Sequence, residues 1–462
     1  MSTNELTFFG VCIKMKLTNK KENFMSTVKI DFSKKNGKIK AMHAVNNGPV
    51  VAGKDQTRGN QEYYRAAKIP YARTHDAAFF AGYGGEHTVD VHAIFPNFDA
   101  DVNDPASYDF PFTDLYMKQI IDHGTEPFFR LGSKIEHGIK KYGTIMPKDF
   151  KKWAQICEHI IAHYTEGWAD GFHYNMEYWE IWNEPDLDPD DSPNKRCWSG
   201  TEAQFAEMFE ISAKHLKARF PHLKIGGPAS AGDEAWMKRF FERLKGTDTP
   251  LDFFSWHWYW TQPSDVAIKA DRIRALLDEY GYFKTESILN EWNYVRSWTD
   301  EFVYSIKQII GMKGSAFTSA CMSACQNAPV DMLMYYDARP TAFNGLFDMY
   351  TYEPLKGYYP FLMWSRLYAL ENQVEAESDD ECVYVIGAKD GDKLGAMVTY
   401  YSENDDDGIK KVSICVDGAS LDGVRVYLTN EDFTMQECLA YEVEDNTINL
   451  RLKRNSILYI QK

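Results

Sequence analysis

Tyr178-Trp179-Glu180-Ile181-Trp182-Asn183-Glu184-Pro185-Asp186 passes from a short apolar run directly into a cluster of polar side chains. Such a run reads as a buried strand whose end delivers a carboxylate, beside Trp and Asn, to one rim of a sheet. A second stretch repeats the pattern: Ser287-Ile288-Leu289-Asn290-Glu291-Trp292-Asn293-Tyr294. Between and around them lie further short apolar runs at Ala41–Val45, Ile69–Arg73, Glu126–Leu131, Leu223–Gly226, Asp252–Trp258 and Met332–Tyr336. Long helical periods separate these runs. Phe150, Trp153, Cys157, Ile160 and Tyr164 share one helix face, with Pro147 expected to open that helix. Thr201 and Gln204 form a capping box ahead of Phe205, Met208, Ser212 and Leu216.

Eight strands alternating with helices over residues 41–370 predict an α/β fold, a (β/α)8 TIM barrel. An open doubly wound sheet is the competing arrangement, but it usually carries a glycine-rich first turn, which is absent here. On either side the pattern becomes all-β. Val28, Ile30 and Phe32 alternate with polar residues in 25–40. Residues 371–462 hold strand-like pieces such as Ala396–Tyr401, Val412–Val416 and Ile457–Ile460, separated by acidic, glycine-containing turns such as Glu403–Gly408. These parts are expected to form an accessory β-sandwich. Met25 opens a second possible start, so 1–24 read as an N-terminal extension expected to be poorly ordered.

Composition narrows the function classes. With 51 basic and 67 acidic residues in 462, the net charge of −16 repels phosphate backbones and speaks against nucleic acid as a partner. The longest apolar runs fall far short of the ~20 residues that span a bilayer, so no membrane partner is expected. The eight cysteines show neither CxxC spacing nor a His–Cys zinc cluster. Leu6–Ile13 is a poor signal peptide, and the chain reads as cytoplasmic with free thiols. Nothing in the pattern fixes self-association, and a homo-oligomer stays open.

In a barrel of this kind chemistry sits at the C-terminal strand ends. A lone glutamate there would be a solvated loop acid. Two such ends together fit glycosidic bond cleavage, which uses one protonated and one ionised carboxyl flanking the scissile bond. Glu180, inside its strand, and Glu286, at the start of its own, are set aside because neither projects from that rim.

The sequence resembles glycoside hydrolases of clan A, most closely family 39, through Trp182-Asn183-Glu184-Pro185 after the fourth strand and Glu291-Trp292 after the seventh. The resemblance covers about 41–370. It implies a retaining, double-displacement β-xylosidase-like enzyme acting on an oligosaccharide or glycoside, with Glu184 as general acid/base and Glu291 as nucleophile. It further implies that Asn183 grips the sugar 2-hydroxyl and that Arg73, in Arg73-x-His75-Asp76, bonds the nucleophile and lowers its pKa. His257 and Tyr259, in His257-Trp258-Tyr259, resemble a pair lying beside sugar and nucleophile. Trp198, Trp258, Trp260, Trp292 and Trp298 are rim aromatics, a subset of which would stack on sugar. No metal or organic cofactor is implied. The loops Asp90–Pro96 and Arg130–Glu136 match no xylosidase pattern, which leaves the sugar open. An arabinosidase, a β-glucosidase or galactosidase, or an iduronidase-like enzyme using Arg130 or Lys134 is an alternative, and a barrel that only binds glycans is a more distant one.

Overall fold

The computed structural model describes residues 25–52, 58–75 and 88–462. The N-terminal extension of residues 1–24 and Asp76 lie outside the described residues.

Eight parallel strands close into a barrel: β2 (Ala41–Asn46), β3 (Tyr71–Thr74), β4 (Glu126–Leu131), β5 (Tyr178–Ile181), β6 (Lys224–Ser230), β7 (Phe253–Trp260), β8 (Glu286–Tyr294) and β9 (Met332–Tyr335). β8 pairs with β9 and β9 with β2, so the barrel has no edge and the open-sheet alternative is excluded. The longer helices between the strands are α1 (Gln61–Ala66), α2 (Pro111–Ile121), α3 (Phe150–Thr165), α4 (Glu202–Arg219), α5 (Glu234–Leu244), α6 (Pro263–Glu279), α7 (Phe302–Ile309) and α8 (Met312–Gln326), with a short turn of helix at Val91–Ile94; α9 (Tyr358–Ala369) follows the last strand. Their starts are written locally. The capping box of Thr201 and Gln204 begins α4, a device that stabilises a helix by about 1 kcal/mol. α3 starts later than Pro147 predicted, because the Asp149 carboxylate accepts from the amides of Lys151 and Lys152 and so serves as its N-cap.

Strand alternation divides the barrel core into two layers. Outward-facing Trp179, Ile181, Phe254, Trp256 and Leu289 join the large cluster shared with the helices. Inward-facing Phe128, Tyr178, Phe253, Ile288, Met332 and Met334 form an apolar plug across the barrel near the N-terminal strand ends. The plug makes this a filled core and leaves polar residues to the C-terminal end.

Apart from a two-stranded pair of Val51–Ala52 with Arg58–Gly59, the remaining strands form one continuous ten-stranded sheet. They are β1 (Met25–Lys38), β10 (Asn372–Ser378), β11 (Val383–Asp390), β12 (Lys393–Tyr400), β13 (Lys410–Asp417), β14 (Arg425–Thr429), β15 (Gln436–Glu437), β16 (Tyr441–Glu444), β17 (Thr447–Leu452) and β18 (Ser456–Gln461). Their order is β15-β14-β18-β12-β11-β10-β1-β13-β17-β16. The expected sandwich therefore takes the form of one sheet curled around its own core of Val28, Ile30, Val398, Ile414, Val426, Ile448 and Leu458. β1 is the seam, antiparallel to β10 on one side and parallel to β13 on the other. The seven cysteines among the described residues are unpaired. No helix among them is long and apolar enough to cross a membrane.

Candidate active site

Above the apolar plug the barrel axis is filled by a charged network centred on Arg73, which lies near the end of β3 and is fully buried. Its Nε donates to Glu180 Oε2 at 2.6 Å, Nη1 to Glu291 Oε1 at 2.8 Å and to Asn46 Oδ1 at 3.1 Å, and Nη2 to Asn183 Oδ1 at 2.6 Å. A buried guanidinium is tolerated only when its donors are met, and two carboxylates and two amide oxygens meet them here. Glu180, set aside in the sequence because it lies within its strand, is thus Arg73's deeper anchor. Its second oxygen accepts from Ser255 Oγ at 2.6 Å and Asn290 Nδ2 at 2.5 Å. Glu286 sits at the opposite end of the barrel, where it accepts from Lys224 Nζ at 2.6 Å and Tyr178 OH at 2.9 Å.

Glu291 is aimed into the barrel by a local irregularity. β8 and β7 pair Leu289 with Trp256 and then Glu291 with His257, so Asn290 is an extra residue. The resulting bulge turns both Asn290 and Glu291 toward the axis and sends Trp292 outward. Glu291 then accepts from Tyr259 OH at 2.8 Å as well as from Arg73, and His75 Nε2 lies 3.3 Å away. Glu184 is set by strained backbone: Trp182 and Glu184 have φ of 75° and 46°, in the left-handed region that side chains rarely adopt. Its amide donates to Ala229 O on β6 at 2.9 Å, fixing the turn against the neighbouring strand. Asp186 ties the same turn to Ser230 Oγ at 2.6 Å and the Ala231 amide at 2.8 Å.

The two glutamates converge. His257 Nδ1 lies 2.8 Å from Glu184 Oε1 and 3.5 Å from Glu291 Oε2, and ligand atoms of all three residues fall within 4.8 Å of one another. That spacing would also suit a divalent cation, but Arg73 already places a positive charge on Glu291 and would repel it. Burial pushes Glu184 up to about 7, with Arg73 and Arg196 acting in the opposite sense. Glu291 is raised too, against the expectation that Arg73 holds it low. Its burial outweighs the pull of Arg73 and the Tyr259 hydroxyl, while the Glu184 charge pushes it further up. Burial brings His257 down to about 4, which keeps the ring neutral. Arg73 and Tyr259 donate directly to Glu291, so a single proton shared by the pair belongs on Glu184.

Of the other residues singled out in the sequence, Asn183 shares the network, and its buried Nδ2 has no acceptor among the described residues. His75, His257 and Tyr259 all face the carboxylate pair. Two aromatics do not. Trp292 is fully buried outside the barrel against Tyr335 and Phe317, because the bulge reversed its direction. Trp258 alternates outward from His257 and Tyr259, under the Lys269 ammonium at 4.3 Å and stacked on Trp260. Trp198 is buried on Trp182 and Phe205. Among the five rim tryptophans, Trp298 packs on a site side chain, edge-on to Tyr259 at 5.0 Å. Arg130 is buried and paired with Asp90 and the His75 carbonyl, and the Lys134 amide also bonds Asp90.

Sequence reading missed Asn46, Tyr336 and Cys197. Tyr336 sits between the rings of His75 and Tyr259, and the Cys197 Sγ is 3.9 Å from Glu184 Oε2. Asn46 and Tyr336 follow apolar strands, so the strand-end rule that found Glu184 applied to them as well. Cys197 lies in a loop with no such signal.

Residues 27–302 match glycosyl hydrolases family 39. The chain therefore belongs to that family, and its fold is that of a barrel enzyme of this class. Among curated proteins, the "Beta-xylosidase" of Caldicellulosiruptor saccharolyticus is 27% identical over 158 residues, 34% of this chain and 28% of that one. That of Geobacillus stearothermophilus is 26% identical over 167 residues, 33% of this chain and 31% of that one. The matching stretch thus spans less than a third of either relative. In solved structures the fold is similar to a glucosidase from Croceicoccus marinus, with a TM-score of 0.75 and 22% identity over 95% of this chain and 99% of that one. It is also similar to a monomeric beta-xylosidase from Caulobacter crescentus CB15, with a TM-score of 0.68 and 15% identity over 94% of this chain and 99% of that one.

Proposed function

We propose that this protein is a retaining glycoside hydrolase that releases β-xylosyl units from oligosaccharides. The observation that carries the mechanism is the approach of Glu184 and Glu291 oxygens to within 4.8 Å. Inverting enzymes keep their carboxyls ~6.5–9.5 Å apart to admit a water, whereas a covalent route uses ~5–5.5 Å. In the first step Glu184 protonates the glycosidic oxygen as Glu291 attacks the anomeric carbon. The C–O bond to the leaving sugar breaks and a glycosyl ester forms on Glu291. Esterification removes the neighbouring charge, so Glu184 becomes the stronger acid and its carboxylate is free to take a proton from water in the second step. Arg73 and Tyr259 align Glu291 and favour its ionised form against the effect of burial, and Asn183 Nδ2 is the donor offered to the sugar 2-hydroxyl, a bond that strengthens in the transition state.

The xylosyl preference rests on the two curated relatives. Similarity to the Croceicoccus marinus glucosidase favours a second reading, a glucosyl-specific enzyme with the same chemistry. Hydrolysis of aryl β-xyloside, β-glucoside, β-galactoside, α-L-arabinoside and uronide, by wild type and Glu291→Ala in parallel, decides between them. Xyloside cleavage lost in the variant supports the proposal. Glucoside cleavage alone supports the second reading. No cleavage of any of them, or of longer xylooligosaccharides, overturns both.

A further inference from the structure

The acidic turn after β12, which in the sequence only separates two strand-like pieces, is one place where the curled sheet grips the barrel. Glu403 Oε1 accepts from Tyr294 OH at 2.9 Å and from Arg296 Nε at 2.9 Å. Its Oε2 accepts from Tyr401 OH at 3.0 Å and lies 3.3 Å from the ammonium of Lys313, which is only 4% exposed. Asp405 meets the same ammonium and the Tyr304 hydroxyl, each at 3.1 Å. Tyr294 ends β8, the strand that carries Glu291, and Arg296 lies in the loop that follows. In that loop Ser297, Thr299 and Asp300 bond one another, and its start is tied to the barrel by the Val295 amide on Trp260 O at 3.2 Å and the Arg296 amide on Ser305 Oγ at 2.9 Å. Its tie to the curled sheet is the Arg296 side chain, spread over Glu403, Glu301 and the Tyr304 ring.

Two residues beyond Arg296 stands Trp298, 57% exposed. Its ring lies edge-on to Tyr259 and is flanked by Phe302 at 6.0 Å and Phe343 at 5.9 Å. A largely exposed indole propped on three rings is poor packing for a core, but it offers a flat face to a sugar ring.

We infer that the curled sheet sets the substrate wall of the barrel: Glu403 holds Arg296 and thereby places Trp298 as a stacking platform for a sugar unit adjoining the one cleaved. The inference rests on Glu184 and Glu291 being a glycosidase centre. Trp298 is the contact residue; Glu403 and Arg296 are positioning residues that never touch substrate. The test compares full-length wild type, Trp298→Ala, Glu403→Gln, Arg296→Lys and the Trp298→Ala/Glu403→Gln double variant on xylooligosaccharides and on β-xylosyl fluoride, which has no adjoining unit to stack. A lost stacking contact is expected to raise the oligosaccharide KM about three- to tenfold. The oligosaccharide kcat, and both parameters on the xylosyl fluoride, should stay within about twofold. Glu403→Gln and Arg296→Lys should reproduce most of the rise, and the double variant should be no worse than Trp298→Ala because both act through one group. Amide hydrogen exchange over 295–301 should quicken in Glu403→Gln. It should not quicken in Lys410→Met, which breaks an ion pair internal to the sheet. Unchanged KM and unchanged exchange in Glu403→Gln and Arg296→Lys overturn the inference, as do additive effects in the double variant. A wild type that cleaves no glycoside counts against the function instead, and the exchange measurement still tests the latch.

Discussion

At the N-terminal end of the barrel Glu286 receives the Lys224 ammonium and the Tyr178 hydroxyl, and its side chain is 28% exposed. At the C-terminal end Glu291 receives the Arg73 guanidinium and the Tyr259 hydroxyl, with its side chain 6% exposed. The partner types match, but the surroundings do not. Water at the lower end solvates whatever the ion pair leaves unmet. At the upper end burial raises the pKa of both Glu184 and Glu291, and the Glu184 charge adds to the rise at Glu291, so the pair keeps a proton near neutrality. A cation and a tyrosine beside a glutamate are therefore no mark of catalysis. The second carboxyl and the exclusion of water make the difference.

The comparison breaks most directly at Glu291. Glu291→Ala is expected to abolish turnover on every glycoside, with the far-UV circular dichroism spectrum unchanged; retained turnover would remove the nucleophile from that position. Glu184→Ala should lose about 10²–10⁴ in kcat on substrates with poor leaving groups. It should lose little on activated aryl glycosides, and added azide should restore turnover with a glycosyl azide of retained configuration as product, identified by NMR. Glu180→Gln takes one anion from the buried Arg73 and should destabilise the fold by about 3 kcal/mol in urea titration. It should also lower kcat more than it raises KM, since Arg73 then pulls less evenly on Glu291 and Asn183.

A smaller effect concerns pH. The Glu184 pKa of about 7 lies above the ordinary 4.5, so the folded state binds this proton more tightly than the unfolded chain does. Its contribution to stability is greatest below 4.5, falls as pH rises toward 7, and levels off above that, a loss of up to about 3 kcal/mol. Glu184→Gln should accordingly be more stable than wild type at pH 8 and similar to it at pH 4.5, as read by thermal melts. The alkaline limb of kcat/KM in wild type should fall near pH 7. Glu286→Gln, at the other end, should cost no more than about 1 kcal/mol and leave kcat and KM as they were. A loss of activity there would mean that the two ends are coupled.

Most of the fold was legible because a barrel strand must be apolar, short and followed by a helix, and each of these properties is local. All eight strands fall where the apolar runs predicted them. The curl of the accessory sheet was not legible. Whether ten strands make one sheet or two depends on which edges bond, and β1 joins the halves from the far end of the chain.

The sequence by itself determined the strand–helix order, the capping of α4 and the delivery of Glu184 and Glu291 to one rim, because hydrophobic period and strand ends are properties of neighbours along the chain. Only the tertiary structure decided which way those rim side chains point. Counting alternately from inward-facing Ile288 puts Trp292 into the barrel and Glu291 outside it. The extra residue Asn290 reverses both, and the register that creates the bulge comes from pairing with β7. The roles of Glu180 and Glu403 arose in the same way. A carboxylate within a strand or in an acidic turn looks ordinary until distant segments bring Arg73 or Arg296 against it, and desolvation then makes each bond consequential.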